Sequence, residues 1–241
     1  MLALTTRLSV AACVLLLVPA LSHAHDPHAG DLWVAVSGEE QLKLSPLGFD
    51  PDHAVVVLEE GSIWYPGWSD DHPGFDAIST DDPEHDCYML SSGAVIWLEI
   101  VDVDPAFIIW YGFTPLGPGD LQQLGSMPGG IHLHLNWNIN NEHPDFDPLR
   151  VHWRATLRLV DTGSTGYADS EDFTMVFSNV ECLSGDVNGD GLVNSFDIDP
   201  FVLVLTDPAA GTAEQRCAAD ANRDGVINVF DIDPFVELLT S

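Results

Sequence analysis

An acidic dodecamer is written twice near the end of the chain, as DVNGDGLVNSFD at residues 186–197 and DANRDGVINVFD at residues 220–231. In the first copy, oxygen-bearing side chains fall at loop positions 1, 3, 5, 9 and 12, from Asp186, Asn188, Asp190, Asn194 and Asp197, with Gly191 at position 6. The second copy sets Asp220, Asn222, Asp224, Asn228 and Asp231 in the same slots around Gly225. Calcium takes about six to eight oxygens. Gathering them from one short loop needs a sharp turn at position 6 and a backbone carbonyl at position 7, here from Leu192 and Val226. Two matches in register predict two calcium ions. Each loop runs into a short apolar helical pattern, residues 198–205 and 232–239, with a proline near its start where proline is tolerated. Helices that short do not stand alone, so calcium and mutual packing must hold them in a metal-dependent fold.

This duplicated loop and helix, residues 182–241 with the pattern GDVNGDGLVNSFDID, resembles the dockerin type I domain. The resemblance implies a small α-helical, EF-hand-like calcium module that docks its protein onto a cohesin of a scaffold or cell-surface protein, most famously on cellulosomal glycoside hydrolases. Partner choice in that family rests on loop positions 10 and 11, often Ser and Thr, where this chain reads Ser195-Phe196 and Val229-Phe230.

At the other end, Arg7, an apolar run and Ser22-His23-Ala24 read as a secretory signal peptide over residues 1–24. The expected product is secreted, extracellular or at the cell surface, without membrane insertion, since no further apolar stretch reaches the roughly 18 residues a spanning helix needs. The chain carries 38 acidic against seven basic residues, a formal charge of −31, which excludes nucleic acid as a partner and favours divalent cations. Its 46% hydrophobic content argues against disorder. Cys182 and Cys217 stand just before the two dodecamers, so a symmetric arrangement of the two units brings them together as a disulfide. Cys87 is then either free or buried.

Residues 25–181 lack helical periodicity. Short strands are expected at 32–36, 54–58, 94–103, 106–113, 131–139, 151–160 and 172–177, divided by Gly, Pro and Asp turns, which makes this body an antiparallel β-sandwich and the chain mainly β. IHLHLNWNIN at 131–140 alternates, placing His132 and His134 on one polar face about 7 Å apart from roughly 3.3 Å of rise per residue. Two such imidazoles suit a transition metal. VHWRATLRL offers His152 as a third ligand if the two strands pair, although Arg154 and Arg158 share its face. GGIHLHLNWNINNEHP also resembles the histidine-rich surface-anchored repeat family, with its G-G-x-H-x-H-x-N-W signature, and HAGDLWVAV resembles that family's opening strand. The resemblance implies zinc handling and adds His28 to the candidate ligands. A pair of histidines that the family carries after its first strand is replaced here by LKLSPL.

His25, as a new amino terminus, would offer copper an amine and an imidazole, the arrangement of lytic polysaccharide monooxygenases, whose other signatures are not evident in the chain. The leading expectation is a noncatalytic body, with zinc or copper as its transition metal, tethered by the calcium module. The alternative is a polysaccharide-degrading enzyme acting on O-glycosyl bonds, or a carbohydrate-binding module. Glu99, set in the apolar run GAVIWLEIV, is the one acid that stands out for catalysis, and it reads more simply as a polar-face residue. Trp33, Trp64, Trp68, Trp97, Trp110 and Tyr111 offer stacking surface for sugars, yet are expected mostly in the core.

Overall fold

The computed structural model describes residues 30–52 and 54–241; the expected signal peptide, His25 and His28 lie outside the described residues. Among the described residues, thirteen strands precede three α-helices. The strands are β1 Leu32–Val36, β2 Leu42–Ser45, β3 Val55–Val57, β4 Trp68–Asp70, β5 Phe75–Ala77, β6 Val95–Val103 and β7 Phe107–Tyr111. They continue as β8 Thr114–Leu116, β9 Leu121–Ser126, β10 Gly130–Leu133, β11 Asn136–Ile139, β12 His152–Asp161 and β13 Phe173–Ser178. A nine-stranded sheet has the order β2-β1-β5-β10-β9-β6-β12-β13-β3, and a four-stranded sheet the order β4-β11-β7-β8. Pairing is antiparallel except at β1/β5 and β13/β3, which run parallel.

Alternation explains how both sheets feed one core. On β6, Ile96, Leu98 and Ile100 are fully buried while the residues between them are partly exposed, as a period of two requires. Trp153, Ala155, Leu157 and Leu159 do the same on β12, whereas on β11 Trp137, Asn138 and Ile139 are all fully buried. The inner faces meet where Phe177 of β13 packs against Trp137 and Phe107 of the smaller sheet, with ring centroids 5.2 and 4.4 Å apart. Burying a side chain of this size is worth about 1.5–3 kcal/mol, so this seam is a principal hold between the sheets. Glu99 stays on the outer face of β6, 3.4 Å from the Arg158 guanidinium on β12. Cys87 is free and fully buried, against Ala35 and Ile78.

The single strand expected at 131–139 is two. β10 pairs with β5 and β9 in the large sheet, β11 with β4 and β7 in the small one, and the chain crosses between them at His134-Leu135. The alternation survives because both segments turn their apolar residues toward the same core. Asn138, expected on the polar face, is fully buried, with its amide nitrogen donating to the Pro66 and Trp68 carbonyls at 3.0 Å each.

In the C-terminal region, one-turn 3-10 segments at Ser195–Asp197 and Val229–Asp231 lead into α1 Ile198–Thr206 and α3 Ile232–Thr240, with α2 Ala213–Ala219 between them. The sequence pattern anticipates α1 and α3. It misses α2, whose start is set by a capping box between Thr212 and Gln215. A small separate core joins Val187, Phe201, Val204, Ala218, Ala219 and Phe235, and the Phe201 and Phe235 rings stack 3.9 Å apart. The Cys182–Cys217 disulfide is formed.

Candidate functional sites: twin carboxylate loops and a histidine edge

The two dodecamers fold alike because their side chains supply the partners that the turns lack. In the first, Asp186 accepts the amides of Gly189, Asp190 and Gly191 at 2.9, 3.1 and 2.8 Å. Asp197 accepts those of Asn188 and Asn194, both at 2.9 Å. Asn194 caps the helical turn through Phe196 N at 2.9 Å. In the second, Asp220 accepts Asp224 N and Gly225 N at 3.1 and 2.8 Å, Asp231 accepts Asn222 N and Asn228 N at 3.2 and 2.8 Å, and Asn228 caps Phe230 N at 2.8 Å. Gly191 and Gly225 take φ of +86° and +79°, the left-handed turn that position 6 demands.

These cages fit a hard divalent cation. Asp197, Asp220 and Asp231 are fully buried carboxylates. Burial pushes the Asp231 carboxyl up to about 6, the neighbouring Asp220 and Asp224 carboxylates push it the same way, and the Asn228 and Asn222 amides only partly oppose them. A bound cation removes that penalty. The oxygens of Asp186, Asn188, Asp190 and Asn194, with the Leu192 carbonyl, and of Asp220, Asn222, Asp224 and Asn228, with that of Val226, are the donors such an ion requires.

A family model described as the dockerin type I domain matches residues 184–234. The C-terminal region is a dockerin type I-like domain. Dockerin domains bind calcium and cohesin partners, so the chain is, in general terms, a cohesin-binding modular protein; such proteins are typically extracellular or at the cell surface. No curated protein and no solved structure matches the chain. Among the described residues no helix is long and apolar enough to cross a membrane.

The two dockerin loops differ in their surroundings. Residues 188–192 of the first are exposed, whereas 222–225 of the second are partly covered by the β-rich body. Arg154 donates to the Asn222 and Arg223 carbonyls at 2.8 and 2.7 Å, and Arg150 to the Asp224 carbonyl at 3.3 Å while pairing with Asp104. From the dockerin side, Arg216 reaches the Leu149 and Pro148 carbonyls at 3.0 and 3.4 Å. The His152 imidazole, only 2% exposed, lies with Nδ1 at 2.8 Å from Asp220 Oδ2.

That placement separates His152 from the histidines it was expected to join. β9 and β6 stand between β10 and β12, so the strands do not pair. His132 and His134 do come together, with ring centroids 5.2 Å apart, and the third imidazole beside them is His72, 5.0 Å from His134. Sequence reasoning missed His72 because the segment 67–86 reads as an acidic loop. The signal was the HPG that follows two aspartates.

A second exposed feature is aromatic. Trp64 and Phe113 are 66% and 74% exposed, their rings 5.9 Å apart, and Tyr65 stacks on Phe113 at 6.4 Å and contacts Trp110 at 5.7 Å. The Tyr65 hydroxyl fixes this patch by donating to the Gly112 carbonyl at 2.7 Å. None of Trp33, Trp64, Trp68, Trp97, Trp110 and Tyr111, expected mostly in the core, is fully buried: Trp64 and Tyr111 are exposed and the other four half-buried, and the fully buried tryptophans are instead Trp137 and Trp153.

Proposed function

We propose that the chain is an exported protein whose β-rich body, residues 25–181, is moored by a calcium-folded module, residues 182–241, to a cohesin-type partner on a scaffold or cell surface. The matched pair of carboxylate cages carries the reading: buried aspartates at position 12 of both loops make two calcium ions part of the fold. Phe196, Val229 and Phe230, each more than two-thirds exposed, occupy positions 10 and 11 and give the module an apolar contact face. Such exposure beside structured loops marks an interaction surface.

Calorimetric titration of the full chain is expected to show about two calcium ions, with Asp186→Ala and Asp220→Ala each abolishing one. Chelation is expected to lower the helical circular dichroism and release the chain from an immobilised cohesin. A helical signal indifferent to chelator counts against the reading.

The aromatic patch favours a second reading, in which the body is a carbohydrate-binding cargo that stacks sugar rings on Trp64 and Phe113. Retention on an insoluble glycan, lost in Trp64→Ala with unchanged melting, supports it. Equal retention of both chains defeats it.

A further inference from the structure

We propose that Asp71, His72 and His134 form a binding site for a divalent transition-metal ion of the zinc class, independent of the calcium loops. One ligand atom from each of the three lies within 4.8 Å of those of the other two. Three protein ligands of this kind, two imidazoles and a carboxylate, leave a coordination position open to water, the arrangement of zinc sites that exchange a ligand.

Orientation is the stronger part of the argument. The His134 Nδ1 lies 2.9 Å from the Asp71 carbonyl oxygen. A carbonyl only accepts, so Nδ1 carries the proton and Nε2 presents its lone pair, the tautomer that binds metal. The fully buried Asp31 holds its Oδ2 3.8 Å from that Nε2, which places negative charge beside the ligand atom. The ring is also pinned from below. A Cβ on Gly74 would stand 2.7 Å from His134 Cε1 and 2.8 Å from both ring nitrogens, so the imidazole lies flat on bare backbone that only glycine leaves clear.

His72 and Asp71 complete the site from the turn after β4, with side chains 46% and 63% exposed, so an ion reaches them directly from solvent. His132 stands at the rim, its Nδ1 2.9 Å from Asp76 Oδ1. Imidazole donors also separate this site chemically from the all-oxygen loops: they suit zinc and copper, whereas carboxylates and carbonyls suit calcium.

The test is equilibrium dialysis of the full chain against zinc at saturating calcium, with bound metal counted by elemental analysis. We expect about one zinc ion per chain, bound at least tenfold more weakly by His72→Ala and by Gly74→Ala, which removes no ligand and only displaces the ring. His72 is a surface residue, so its variant keeps the fold, and circular dichroism checks this. Failure of the wild-type chain to take up zinc overturns the proposal. So does equal zinc uptake by a His72→Ala/His134→Ala double variant, or zinc uptake that appears only when calcium is withheld, which would put the ion in the loops. Cohesin capture is unaffected by any of these changes, so the attachment reading stands or falls separately.

Discussion

Asp161 closes the far end of β12: its Oδ1 accepts the amides of Val95 and Gly163 at 2.9 and 2.8 Å, and its Oδ2 the Thr165 hydroxyl. Burial pushes this carboxyl up, but the hydrogen bonds to Thr165, Val95 and Gly163 outweigh it and hold the group below its ordinary 3.8. The sign follows directly. A depressed carboxyl stabilises the fold fully above its unfolded value and loses that contribution as pH falls through the lower folded one. Asp161→Asn should therefore melt lower than the wild-type chain at pH 7, with the gap closing as pH falls below the ordinary 3.8; melting curves across that range check it. Asp231 shows the opposite case, since desolvation and two neighbouring carboxylates outweigh its amides. The contrast also explains which site residues could be read in advance. The calcium ligands sit within twelve consecutive positions, so spacing alone reveals them. The metal set of Asp71, His72 and His134 joins two turns across the sheets, and only the approach of β5 and β10 in register brings them together.

At the level of elements, apolar runs were legible, down to the three-residue β3 inside the expected 54–58, and strands without such a run were not. β1 falls on the expected residues, and β6, β7, β12 and β13 lie within two residues of their expected limits, because each turns a run of large apolar side chains toward one core. β4, β5 and β8 are three residues long, and their sequences carry Asp, Pro and Ser in place of an apolar rhythm. They exist because neighbouring edges need partners for their backbone groups. The split of β10 from β11 has the same origin: a period-two pattern reports which face is buried, not which sheet supplies the neighbours. In the dockerin-like region, α1 and α3 were visible from their repeat, while α2 is a single seven-residue stretch whose Ala218 and Ala219 are buried with Val187, Phe201 and Phe235.

The whole molecule allots its scarce positive charge unevenly. Of seven basic side chains, Arg150, Arg154 and Arg216 all lie at the contact between the β-rich body and the dockerin-like region, the first two on its second loop. A hydrogen bond from a charged donor is worth about 1.5–3 kcal/mol, so this contact shapes the second calcium cage from outside. Arg154→Ala should weaken calcium at that loop by roughly tenfold, as loss of an outer support does, and leave the first loop unchanged. Calorimetry with Asp186→Ala as background isolates the second loop. Equal affinities in both chains would mean that the contact is incidental. β12 bears both His152 and Arg154, and it lies inside the large sheet between β6 and β13. A pull on the dockerin-like region would therefore load an interior strand gripped on both sides as well as the connecting segment.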